Sequence, residues 1–144
     1  MTNLEERLEI EFENIEKTFR EFPPSRTCSS LSNIEIAGVG ALLHNFYSGV
    51  EKILKDIVRS KGISLPDGAT WHRDLIDLAV KHHIILEGTA AGLTPYLAFR
   101  HFFVHGYVFL LDPEKLEPLL QEVDKVLNRL MSDLKKYNIP EIPS

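Results

Sequence analysis

The chain has 144 residues, 44% of them apolar and 26% charged, and a formal net charge of −5. That is enough for one domain spanning residues 1–144 with its own hydrophobic core, and the balance is ordinary for a soluble globular protein. No apolar run approaches the roughly 20 residues of a membrane span, and no basic-then-apolar leader opens the chain. Cys28 is the single cysteine, which excludes an internal disulfide or a thiolate metal cage and makes a cytoplasmic location the expectation.

The first stripe, Leu4, Leu8, Phe12, Ile15, Phe19 and Phe22, advances by threes and fours and predicts an amphipathic helix. Pro23-Pro24 ends it, and a Ser/Thr-rich link with Cys28 follows. Ser32-Asn33-Ile34-Glu35 reads as a capping box opening a helix of roughly 28 residues that stops near Gly62. Gly38 and Gly40, inside it, suit close helix packing rather than a phosphate loop. Pro66-Asp67-Gly68 marks a turn, and about Trp71 to Leu86 forms a shorter helix. Thr94-Pro95 reads as an N-cap with proline at the first helical position. Asp112-Pro113 repeats that device before a last helix along Leu116, Leu119 or Leu120, Val123, Val126 or Leu127, Leu130 and Leu134. No window alternates as a strand does. The expected fold is all-α, an up-down bundle of four main helices and one shorter one.

Net acidity excludes a uniformly basic nucleic-acid binder, but the charge is unevenly placed. Residues 1–22 hold seven glutamates against Arg7, Lys17 and Arg20, whereas all six histidines fall between His44 and His105. A local anion site in the middle of the chain is compatible with that layout. The segment Arg100-His101-Phe102-Phe103-Val104-His105-Gly106-Tyr107 places an arginine, two histidines and a tyrosine in an apolar stretch. Arginine is almost never buried without a partner, so the cluster belongs to a groove or an interface. Arg100 offers a permanent cation for a phosphate, and the histidines exchange protons near neutrality. Together they suffice for cleaving a phosphodiester without a metal.

Other chemistries have less support. Neither Glu-x-x-His pairs nor His-Glu-x-x-His occurs, so no metal or cofactor is expected. Gly-x-Ser-x-Gly is absent too, and Cys28 has only Arg26 as a basic neighbour. His82-His83 suits a helix C-terminus. His72 and Arg73 are expected to make helix-end hydrogen bonds, and His44 to be structural. Glu51, four residues after Tyr47, is expected to turn towards Arg100 and hold it in place.

Arg100-x4-His105-x-Tyr107 resembles the Arg-x4-His-x-Tyr signature of the HEPN superfamily, in its HepT-like toxin branch. His44 to Leu54, with Tyr47 and Glu51, resembles that family's second long helix. Leu65-Pro66-Asp67-Gly68 followed by Trp71-His72-Arg73-Asp74-Leu75 resembles a stretch of one HEPN subgroup. The three blocks come in the family's order over roughly residues 44 to 118. The chain departs at His101, where HepT relatives often have asparagine, and at Asp112, five rather than four residues after Tyr107. The resemblance implies a homodimeric bundle whose two motifs meet at the dimer axis. It also implies a metal-independent endoribonuclease toxin, silenced by a nucleotidyltransferase antitoxin that adds AMP to the motif tyrosine, here Tyr107.

Helix geometry bears on the dimer. Five residues turn through about 500°, so Arg100 and His105 stand about 140° apart on a straight helix. Either the helix loosens near Gly106 or a second copy completes the site. In the expected reaction His105 is the general base on an RNA 2′-hydroxyl and Arg100 stabilises phosphoryl charge. His101, Tyr107 and Glu51 have supporting roles. Phe99, Phe102, Phe103 and Phe109 are assigned to the core. Two alternatives stand beside this: a non-catalytic HEPN module that binds a nucleotide or a nucleotidyltransferase partner, and a purely structural bundle.

Overall fold

A computed structural model describes residues 3–106 and 111–137. Every regular element among them is helical: α1 (Leu4–Arg20), α2 (Asn33–Ser60), α3 (Trp71–Lys81), α4 (Glu87–Val104) and α5 (Pro113–Leu134), with 3-10 turns at Ser25–Ser30 and Lys135–Tyr137. The long helix α2 is central, touching α1, α3 and α4, while α5 packs on α4 and on the first 3-10 turn.

Local chemistry sets most of these boundaries. Asn3 Oδ1 accepts from the Glu6 amide at 2.9 Å and starts α1, whose Leu8, Phe12 and Ile15 face the core. Both halves of the Ser32/Glu35 capping box are present, and α2 stops two residues before Gly62, which has φ 72°. A left-handed glycine there is the usual way to end a helix. Gly40 permits close packing, since a Cβ would lie 2.8 Å from the Phe103 ring. Gly38 does not, because a Cβ there meets nothing within 4 Å. Asp112 Oδ1 accepts from the Glu114 amide at 3.0 Å and starts α5 as expected.

Three expectations need correction. The Ser/Thr-rich link is a 3-10 turn that docks on α5 and buries Cys28. Burial, then the nearby Glu117 charge, pushes the Cys28 thiol up, away from nucleophilic use. The short helix ends at Lys81, not near Leu86. There the Ile84 amide reaches back to Ala79 O at 2.8 Å and the His83 amide to Val80 O at 3.0 Å, with His83 left-handed at φ 59°. This is a Schellman closure without glycine, and it turns Ile84 and Ile85 into the core.

The third correction matters most for the site. α4 begins at Glu87, seven residues before Thr94, and Pro95 lies inside it. Its N-cap, Leu86, has no capping side chain of its own. Asp133 of α5 supplies the cap instead: Oδ2 accepts from the Leu86 amide at 2.9 Å and from Thr89 Oγ1 at 2.6 Å. Asp133→Ala should therefore cost about 1–2 kcal/mol, the range of a lost helix cap, read as a lower urea midpoint at unchanged slope. Asp133→Asn should recover most of it.

Candidate functional site

Three helices bring the site together. α2 contributes Glu51, buried with its side chain only 5% exposed. α3 contributes His72, its second residue, and α4 contributes Arg100 from its last turns. Glu51 Oε2 lies 2.6 Å from His72 Nδ1, and Glu51 Oε1 lies 3.8 Å from Arg100 Nε. Arg100 Nη1 is 3.3 Å from His72 Nε2. Arg100 Nε is itself buried without a hydrogen-bond acceptor, so its link to Glu51 is an ion contact rather than a hydrogen bond. A carboxylate taken out of water needs such partners, because an unpaired buried charge is far costlier than a paired one.

Above this trio, α3 and α4 frame a cleft of about 740 Å³. Its lining includes His72, Arg73, Arg100, His101 and His105, and no carboxylate is among the described residues that line it. In a chain of net charge −5, that is a local field suited to an anion. The His101 and His105 rings, both exposed, approach edge to face with centroids 4.3 Å apart.

The helix ends inside the motif. Val104 is the last helical residue, His105 is the C-cap, and Gly106 has φ 81°. The loosening near Gly106 is therefore present, and Arg100, His101 and His105 of one chain line the same cleft. Tyr107 and Phe109 lie outside the described residues. Phe99 is buried, and Phe103 packs on the core with its ring 5.8 Å from that of Phe99. Phe102 is half-buried and borders a separate apolar groove between α4 and α5.

A family model described as HepT-like protein matches residues 38–139. The chain belongs to the HepT-like family. No curated protein and no solved structure matches it at a significant level. The match runs from within α2 to beyond α5 and includes every residue of the trio and of the cleft lining.

Sequence reasoning missed His72 in this HepT-like chain. Its place at the start of a helix points to helix-end hydrogen bonding, yet it bridges Glu51 and Arg100. The signal was its place in the Trp71-His72-Arg73-Asp74-Leu75 block, but nothing in linear spacing tells which helix α3 will lie against. Trp71 explains its fixed pose: the two rings pack with centroids 3.6 Å apart at a tilt of 31°, and the Lys55 ammonium sits 4.0 Å over the indole. Tyr47 is also close by. Burial first, then the Glu51 charge, holds its phenol far above the usual tyrosine range, so it stays neutral within the core.

His44 lies behind the motif, its ring 5.6 Å from Phe103. Burial, then the Arg100 cation, lowers its pKa, outweighing Asn45 and Glu51, which act the other way. A histidine depressed in the fold binds its proton more readily when unfolded, so its stabilising contribution is full above the unfolded value near 6.5. That contribution falls away as pH drops below it. Urea unfolding at pH 5 and pH 7.5 should accordingly show a smaller acid loss in His44→Gln than in the parent.

Proposed function

We propose that this HepT-like chain is a metal-independent endoribonuclease, the toxin of a toxin–antitoxin pair controlled by a nucleotidyltransferase. The observation that carries the reading is the cleft between α3 and α4, lined among the described residues by Arg73, Arg100, His72, His101 and His105 and by no carboxylate. It has room for a nucleotide, and its fixed charge is positive where the chain as a whole is negative.

The chemistry needs a proton acceptor, a proton donor and a stabiliser of phosphoryl charge. His105 removes the proton from an RNA 2′-hydroxyl as that oxygen attacks the adjacent phosphorus. His101, or His105 of a second copy in a homodimer, protonates the departing 5′-oxygen. Arg100 stabilises the charge on the non-bridging oxygens. The phosphorus–oxygen bond to the 5′ side breaks, leaving a 2′,3′-cyclic phosphate and a 5′-hydroxyl. Following the family resemblance, AMP added to Tyr107 closes the cleft by bulk and negative charge.

The decisive substrate test follows from the nucleophile. An oligonucleotide cut at one bond should become inert when the 2′-hydroxyl at that bond alone is replaced by hydrogen, and remain a competitive inhibitor. Cleavage of the 2′-deoxy substrate would refute the mechanism. One observation favours a second reading, a non-catalytic module that binds a nucleotide or a nucleotidyltransferase: Arg100 is engaged inward by Glu51 and His72. Tight nucleotide binding with no cleavage by the unmodified chain would select it.

A further inference from the structure

We infer that His72 is a positioning residue that keeps the Arg100 guanidinium available to substrate, an inference that rests on the ribonuclease reading for its kinetic consequence. The hydrogen-bonding groups assign the form of the ring. An ionised carboxylate only accepts, so at 2.6 Å His72 Nδ1 must donate to Glu51 Oε2. A guanidinium only donates, so at 3.3 Å His72 Nε2 must accept from Arg100 Nη1. Both conditions are met by one species, the neutral ring with its proton on Nδ1. Trp71, whose ring lies 3.6 Å from the imidazole at a tilt of 31°, restricts the ring to the setting that both contacts require.

The second half of the inference concerns what His72 prevents. Glu51 and Arg100 are natural bidentate partners, two parallel N–H···O bonds being the preferred geometry. Here they do not form that pair. One carboxylate oxygen is committed to His72, and the other stands 3.8 Å from Nε. His72 therefore competes for Glu51 and holds Nη1 at the same time. Neither contact takes up Nη2, the donor that would meet a phosphoryl oxygen in the cleft that Arg100 lines. Remove the imidazole and Arg100 is free to close onto Glu51, away from the substrate.

The test is a double-mutant cycle on the full chain with a short RNA substrate, joined to a spectrum that needs no activity. His72→Ala should lower kcat by about 10- to 100-fold, the scale of an ångström-sized misplacement, and change KM little. In an Arg100→Ala background the same substitution should cost less than about twofold, because its effect passes through Arg100. His72→Gln, whose amide can still accept from the guanidinium, should recover part of the loss. Equal losses from His72→Ala in both backgrounds would overturn the positioning role. Imidazole 1H–15N correlations of the parent at pH 8 should show the proton on Nδ1 of His72, and a proton on Nε2 instead would overturn the assignment. A parent that cuts no RNA would remove the ribonuclease reading, and the spectrum would still decide the hydrogen-bond chain.

Discussion

Arg100→Ala should lower RNA cleavage by about 10²- to 10³-fold, the loss that follows removal of one donor aimed at developing charge. The expectation rests on place as well as type. Arg100 lines the α3–α4 cleft while its Nε and Nη1 are engaged by Glu51 and His72, so the guanidinium is held before substrate arrives. Arg100→Lys should recover little, since an ammonium cannot meet Glu51, His72 and a phosphate with one fixed fork. The loss should fall on kcat more than on KM, because the charge it answers is largest in the transition state. Folding should suffer less than activity, for Glu51 keeps His72 as a partner.

Glu51→Ala should be the more damaging change for stability, at about 2–4 kcal/mol. Breaking a fully buried pair costs about 3–5 kcal/mol. The lower figure is used because the Arg100 and His72 side chains keep 22% and 23% of their exposure and water screens what remains. For a chain of this size that is a fall in Tm of about 6–14 °C, readable by calorimetry. Cleavage should fall as well, by roughly 10²-fold, as both His72 and Arg100 lose the anchor that fixes them. Glu51→Gln separates the two effects. Its amide restores volume and a hydrogen bond, so stability should largely return. Activity should not, because a neutral amide leaves the guanidinium without its counter-charge.

Helix α2 and its caps were legible in the sequence because its stop and start signals are local: Ser32 and Glu35 bond each other, and Gly62 supplies the left-handed residue. The same holds for the start of α5 at Asp112-Pro113. The start of α4 was not legible, since its cap is Asp133, a residue 47 positions from the amide it serves. A capping signal that arrives through tertiary packing leaves no mark beside the helix it caps. Thr94-Pro95 imitates a start, yet in the fold Pro95 sits exposed within the helix and the Thr94 hydroxyl bonds back to Ala90 O at 3.1 Å.

The site shows the same division. Arg100, His101 and His105 stand out because polar groups interrupt an apolar run, whereas no linear spacing ties Glu51 on α2 to Arg100 on α4, and their pairing is only a guess from the sequence. His72 was hidden because its partners come from α2 and α4, and only docking of α3 brings them within 2.6 and 3.3 Å. Gly106 was read as a point of loosening, and its φ of 81° is what a glycine there permits. What Tyr107 does is not a matter of geometry here, since it lies outside the described residues.

Metal-free RNA cleavage by the motif can be read in a single assay. The purified chain, prepared without any partner, is incubated with total tRNA and a structured messenger in excess EDTA beside Arg100→Ala and His105→Ala. Cleavage by the parent is expected, with products ending in 2′,3′-cyclic phosphate and loss of that activity in both variants. Equal cleavage by all three proteins, or an intact substrate with an unmodified, folded parent, would contradict it.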